Sequence, residues 1–146
     1  MTRTGNPSQP GPPAPDDAMA QLLAAAWQAR ERAYAPYSGY AVGAALLTGD
    51  GQVVTGCNVE NASYGLTCCA ERVAAFQAVA RGLGGWQAMA VVAQGEELPY
   101  PCGACRQVLA ELAPTLTIVV ANEKERAVTT MDQLLPHRFR LENEPS

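Results

Sequence analysis

The chain has 146 residues, of which 48% are hydrophobic and 16% charged, a length and apolar content that suit one compact domain and leave little room for a second. Its formal charge of -4 and isoelectric point of about 4.9 argue against a basic surface of the kind that tracks a nucleic-acid polyanion. No run approaches the roughly 20 apolar residues of a membrane span, and the start of the chain lacks a basic segment followed by an apolar core, so a soluble, cytoplasmic protein with no membrane partner is expected.

Residues 1–15 hold five prolines and two glycines without apolar periodicity, which predicts a disordered tail. From Asp16 and Asp17, apolar residues at Met19, Leu22, Leu23, Ala26 and Trp27 recur at helical spacing, and the helix ends before Pro36. Two β-compatible runs, Tyr40 to Thr48 and Gln52 to Val59, flank Gly49-Asp50-Gly51, whose Asp-Gly pair favours the positive φ angles of a tight hairpin. A helix over Cys69 to Arg81 stops at Gly82, Gly84 and Gly85, and the buried-strand run Met89 to Ala93 follows. A helix over Ala104 to Ala113 ends at Pro114, strands cover Leu116 to Ala121 and Arg126 to Thr130, and a helical turn at Met131 to Leu135 precedes Pro136. The order α-β-β-α-β-α-β-β predicts an α/β fold: one domain over residues 16–140, a mixed five-stranded sheet with helices on its faces, and a short C-terminal tail at 141–146.

Five cysteines, Cys57, Cys68, Cys69, Cys102 and Cys105, form an odd set that cannot all pair within the chain, which points to metal binding or catalysis before a disulfide framework. Thr67-Cys68-Cys69-Ala70-Glu71-Arg72 and Pro101-Cys102-Gly103-Ala104-Cys105-Arg106-Gln107 each lie where a loop enters a predicted helix. The unpaired N–H groups and positive dipole end of a helix start favour the thiolate that binds zinc. A redox C-x-x-C belongs after the first strand, whereas this one comes late. A structural zinc site needs four ligands, and the chain offers one C-x-x-C and a single histidine, His137. Three thiolates with an open fourth position and a nearby carboxylate form a catalytic pattern: zinc lowers the pKa of water towards roughly 7, and Glu71 moves the proton to a substrate nitrogen.

Cys69-Ala-Glu71 with Pro101-Cys102-x-x-Cys105 is similar to the signature of the zinc nucleoside and nucleobase deaminases, a class with a three-cysteine form and a glutamate that is not a ligand. Pro36-Tyr37-Ser38, Val42-Gly43-Ala44-Ala45, Gly56-Cys57-Asn58-Val59-Glu60-Asn61-Ala62 and Leu134-Leu135-Pro136 narrow the likeness. From about residue 20 to residue 139 the chain resembles the homotetrameric cytidine deaminases. That resemblance implies a three-layer domain with helices on both sheet faces, one Zn²⁺ per subunit on Cys69, Cys102 and Cys105, and Glu71 as proton shuttle. It further implies Asn58 and Glu60 on the ribose hydroxyls, Tyr40 where the family commonly stacks a phenylalanine near the pyrimidine, and the backbone around Ala70 and Cys102 on the base. Phe139 would complete a neighbouring subunit's site, Arg72 would hydrogen-bond to ligand sulfurs, and Gln107 would stand near the site. The substrate expected is a small nucleoside, cytidine or deoxycytidine, and not a nucleic-acid polymer.

Plainer roles are expected elsewhere. Cys57 is read as a small packing residue, and so, taken singly, are Tyr34, Tyr37 and Tyr64; chemistry alone does not separate Cys68 from Cys69, and only the Cys-Ala-Glu frame of the resemblance assigns Cys68 to packing. Two other functions remain open from the sequence: deamination of a modified cytosine nucleoside, and a non-catalytic zinc-stabilised binding module.

Overall fold

The computed structural model describes residues 16–145; the expected tail over 1–15 lies outside them. Helix α1 (Asp16–Arg30) precedes strands β1 (Val42–Leu47) and β2 (Val53–Cys57). Then come α2 (Ala70–Ala80), β3 (Ala88–Ala93), α3 (Gly103–Leu112), β4 (Thr117–Ala121), β5 (Arg126–Thr130) and α4 (Met131–Leu134). The sheet order is β2-β1-β3-β4-β5. Only β3 and β4 run parallel, joined by α3, and the other neighbours pair antiparallel.

All six residues of β3 are buried, because helices cover both faces of the sheet. Side-chain alternation sends Ala44, Leu46, Met89, Val91, Ile118 and Val120 to the face beneath α2, α3 and α4. Ala45, Leu47, Ala88, Ala90, Val92, Val119 and Ala121 meet Leu22 and Ala26 of α1 on the other. The expected three-layer α/β arrangement is what the chain adopts.

Local hydrogen bonds explain where the elements stop short of their hydrophobic patterns. Helix α1 tightens after Arg30 into i→i+3 bonds from Glu31, Arg32 and Ala33, and Tyr34 N–H then turns to Asn58 C=O at 2.9 Å. Strand β1 begins at Val42 and not Tyr40, since Tyr40 N–H is taken by Ser38 Oγ at 3.0 Å and its carbonyl accepts from Asn58 Nδ2 at 2.8 Å. In the hairpin only Gly51 has positive φ, 85°. The expected pair is reduced to one because Thr48 N–H closes on Gln52 C=O and Gly51 N–H on Thr48 C=O, a three-residue loop with one left-handed position. A 3-10 turn, Tyr64–Leu66, has no counterpart among the expected elements.

The C-terminal stretch folds back on the domain. Arg138 and Glu144, with side chains 12% and 6% exposed, pair at 2.5 Å, and Gln107 Nε2 donates to Phe139 C=O at 3.1 Å.

Candidate active site and metal centre

The antiparallel pairing of β1 with β3 places Val42 opposite Ala93, so the start of β1 adjoins the carboxyl end of β3. Helices α2 and α3 both begin at this rim. Crevices at the carboxyl ends of strands are common ligand sites in α/β sheets, and here a cavity of about 200 Å³ is lined by Tyr40, Val42, Asn58, Thr67, Cys69, Ala70, Glu71, Val91, Pro99, Tyr100 and Cys102.

Cys69 is the N-cap of α2 and Cys102 the N-cap of α3, both in extended backbone conformation. Cys105 follows in the first turn of α3 and is fully buried. The three sulfurs lie within 4.8 Å of one another, with Cys69 Sγ 3.7 Å from Cys102 Sγ. Tetrahedral zinc with bonds of about 2.3 Å sets its sulfurs roughly 3.8 Å apart, so the donor set fits zinc in both chemistry and spacing. Cys57 and Cys68 are outside the cluster and only half-buried, less enclosed than core packing predicts. Cys57 instead lines a groove between α1, β2 and α2.

The thiol protons are divided unequally. Hydrogen bonding from Cys105, then from Arg72 and Cys102, lowers Cys69 to about 5 despite its partial burial. Cys105, on the other side of that bond and buried, is pushed far up. Arg72 Nη2 donates to Cys69 Sγ at 3.4 Å, and its own pKa rises on contact with Cys69 and Cys105.

Glu71, one position into α2 from its first residue, is 4% exposed. Burial raises its carboxyl to about 7, with the Cys69 charge adding and its own backbone N–H and Arg72 opposing. An acid that titrates near neutrality can both take and return a proton at working pH.

Asn58 is 8% exposed and braces the cavity wall: Oδ1 accepts from Val42 N–H at 2.9 Å while Nδ2 holds Tyr40 C=O. One lone pair and one amide hydrogen remain for a ligand. Glu60 lies outside the thiol cavity. It lines an adjoining hollow of about 250 Å³ with Tyr37, Ser38, Asn61, Tyr64 and Thr67, and Thr67 borders both spaces. Its carboxylate accepts from Ser38 Oγ, from Tyr37 N–H at 2.9 Å and from Ser38 N–H at 3.1 Å. Those bonds, Ser38 Oγ first, hold it below the ordinary carboxylate value.

Tyr40 and Ala70 line the thiol cavity. Phe139 does not; it is 67% exposed, and Gln107 contacts its carbonyl. The packing expected of Tyr34, Tyr37 and Tyr64 is not found, since all three are exposed; Tyr37 and Tyr64 meet edge to face, 6.3 Å between ring centres. Sequence reasoning passed over Thr67, Pro99 and Tyr100, although two of these directly precede the Pro101-Cys102 signature and one precedes Cys68-Cys69. Arg106 proves to be a brace, donating to Pro101 C=O at 2.7 Å and Leu134 C=O at 2.9 Å.

A family model described as the cytidine and deoxycytidylate deaminase zinc-binding region matches residues 17–122. A cytidine deaminase of Halalkalibacterium halodurans is 51% identical over 124 residues, covering 84% of this chain and 94% of that protein. The crystal structure of a cytidine deaminase from Burkholderia pseudomallei superposes with a TM-score of 0.80 at 54% identity, over 82% of this chain and 98% of that one. One from Mycobacterium tuberculosis superposes with a TM-score of 0.74 at 43% identity, over 88% and 100%. With three clustered thiols and a buried carboxylate at the shared rim of the sheet, the chain belongs to the zinc-binding cytidine and deoxycytidylate deaminase family, whose members are hydrolytic enzymes.

Proposed function

We propose that the protein deaminates cytidine and deoxycytidine to uridine and deoxyuridine, with water as co-substrate and ammonia as the second product. The observation that carries this reading is the buried Glu71, its carboxyl pushed up by burial to about 7, in one cavity wall with Cys69 and Cys102.

Cys69, Cys102 and Cys105 would hold the zinc. Bound there, it would supply Lewis acidity that brings the ionisation of water towards neutral pH. Glu71 takes a proton from the attacking water and passes it to N3 of the pyrimidine. The water oxygen becomes the C4 carbonyl oxygen, and the remaining proton goes through Glu71 to the departing amine. Three thiolates and Zn²⁺ sum to -1, and the Arg72 guanidinium on Cys69 Sγ offsets that excess.

Asn58 and Glu60 take the ribose hydroxyls, the first with its spare donor and acceptor and the second as an acceptor already ionised. Tyr40 lies against the ring, and backbone groups around Ala70 and Cys102 read the base. Phe139, exposed on each subunit, completes a neighbour's site in a homotetramer, while Gln107 steadies its carbonyl. The enzyme acts in the cytoplasm on free nucleosides.

The test is ammonia release by zinc-loaded protein from cytidine, deoxycytidine, cytosine and a cytosine-containing oligonucleotide, with Glu71→Gln alongside. Turnover of the two nucleosides, reduced roughly 10²- to 10⁴-fold in the variant, is expected. Silence with every substrate would remove the enzyme reading; undiminished Glu71→Gln would remove the proton shuttle.

A further inference from the structure

The start of α2 is set by β2. Gly56 pairs with Ala44 in the hairpin, and a Cβ at Gly56 would lie 2.6 Å from Ala70 O, 2.5 Å from Ala74 N and 3.1 Å from Ala74 Cα. These are backbone atoms of the helix, which cannot rotate aside as a side chain can. Ala70 stands between Cys69 and Glu71, and both Ala70 and Ala74 are fully buried. The first turn of α2 therefore rests on bare strand backbone.

A second tie lies just beyond. Val59 N–H donates to Cys68 C=O and Cys68 N–H to Val59 C=O, each at 2.9 Å. The chain from Gly56 to Val59 thus grips residues 68–74 on either side of Cys69 and Glu71. The other two thiols have a further support: Cys102 caps α3 and Cys105 lies in its first turn, after a loop that Arg106 braces against α4 through Pro101 and Leu134. The 3.7 Å between Cys69 and Cys102 sulfurs is consequently a distance between two helix starts, one of them seated on Gly56.

We propose that Gly56 is a positioning residue for the deaminase centre: the missing side chain lets α2 sit close enough to β2 to bring Cys69 and Glu71 into register with Cys102 and Cys105. The inference rests on the deaminase reading but acts on metal geometry as well as on turnover. Ordinary contact begins near about 3.5 Å, so a methyl group at Gly56 moves the helix start by roughly 1 Å.

The experiment compares zinc-loaded wild type, Gly56→Ala and Leu22→Ala, the last a core truncation under α1 on the opposite face, at a temperature where all are folded by circular dichroism. Two readouts are taken: kcat and KM for cytidine, and zinc affinity by competition with a chelator. For Gly56→Ala, kcat falls about 100-fold with KM changed less than about threefold, and zinc affinity falls at least about tenfold. Leu22→Ala keeps both within about twofold. Gly56→Ala that also keeps both within about twofold overturns the proposal.

If Gly56→Ala does not fold unaided, both readouts are taken in a stabilising osmolyte such as sucrose, which favours the compact state and leaves the strand–helix contact as it is. The same split supports the inference, and unchanged zinc affinity and kcat overturn it. Should wild type release no ammonia from cytidine, the deaminase reading fails by itself, and the zinc arm alone decides whether Gly56 positions Cys69.

Discussion

Helix α4 begins on Thr130, whose hydroxyl accepts from Gln133 N–H at 3.4 Å. Helices α2 and α3 begin on Cys69 and Cys102, and neither side chain caps a backbone N–H. All three residues have the extended backbone of an N-cap, so the local geometry would accept serine, threonine or aspartate in each place. A good capping side chain contributes about 1 kcal/mol. The two starts at the metal centre forgo it; their thiols turn to one another, and that of Cys69 also to Arg72. Stability and chemistry are thus set by different residue choices at equivalent positions.

Cys102→Ser separates the two most sharply. Serine restores the cap while removing a zinc donor from an exposed position. Zinc affinity should fall by more than the roughly 10- to 100-fold typical of an outer-shell change, and turnover with it. In chelator, urea unfolding of the same variant should show a gain of about 1 kcal/mol. If the metal-free protein gains nothing, cysteine costs these helices no stability, and the metal-centre starts do not differ in stability from that of α4.

The next largest effect lies on the other side of the sheet. Leu22 is 1% exposed in a cluster of aliphatic side chains beneath α1, remote from the thiols. Leu22→Ala should lose about 2–5 kcal/mol in urea unfolding while its zinc affinity stays within about twofold of wild type. A coupled loss of zinc would mean that the two faces do not behave as independent supports for the rim.

These contrasts also mark what the sequence made legible. The α1 stripe of Leu22 and Ala26, the wholly apolar β3 and the Gly51 turn follow from periodicity and turn chemistry, and all are present. Cys102 and Cys105 stood out by their C-x-x-C spacing at a helix start, whereas Cys69 was told from its neighbour Cys68 only by the Cys-Ala-Glu frame of the family resemblance. The seat of Ala70 and Ala74 on Gly56 did not stand out, because it depends on which helix face meets which strand. Nor did side-chain spacing reveal that Asn58 trims β1 by bonding Tyr40 and Val42. Tyr37 and Tyr64 misled for a related reason: their aromatic bulk favours a core, but the core is already filled by the sheet and its helices, and they frame the hollow beside Glu60 instead.

That hollow supplies the smallest effect. Glu60 is held below its ordinary value of 4.5, chiefly by Ser38 Oγ and then by the Ser38 and Tyr37 N–H groups. A depressed carboxyl pKa favours the ionised form in the folded state. Its stabilisation is complete above the ordinary value and is lost as pH falls through the depressed one. Ser38→Ala removes the hydroxyl and leaves the two backbone bonds, so it should lower Tm slightly at pH 7, with the gap from wild type closing as the pH is taken below 4.5. The site is exposed, which keeps the effect small. Ser38 Oγ also accepts from Tyr40 N–H at 3.0 Å, and that bond is indifferent to the charge on Glu60. A Tm gap unchanged from pH 7 to acid would therefore assign Ser38 to bracing the entry of β1, and not to holding Glu60 ionised for a sugar hydroxyl.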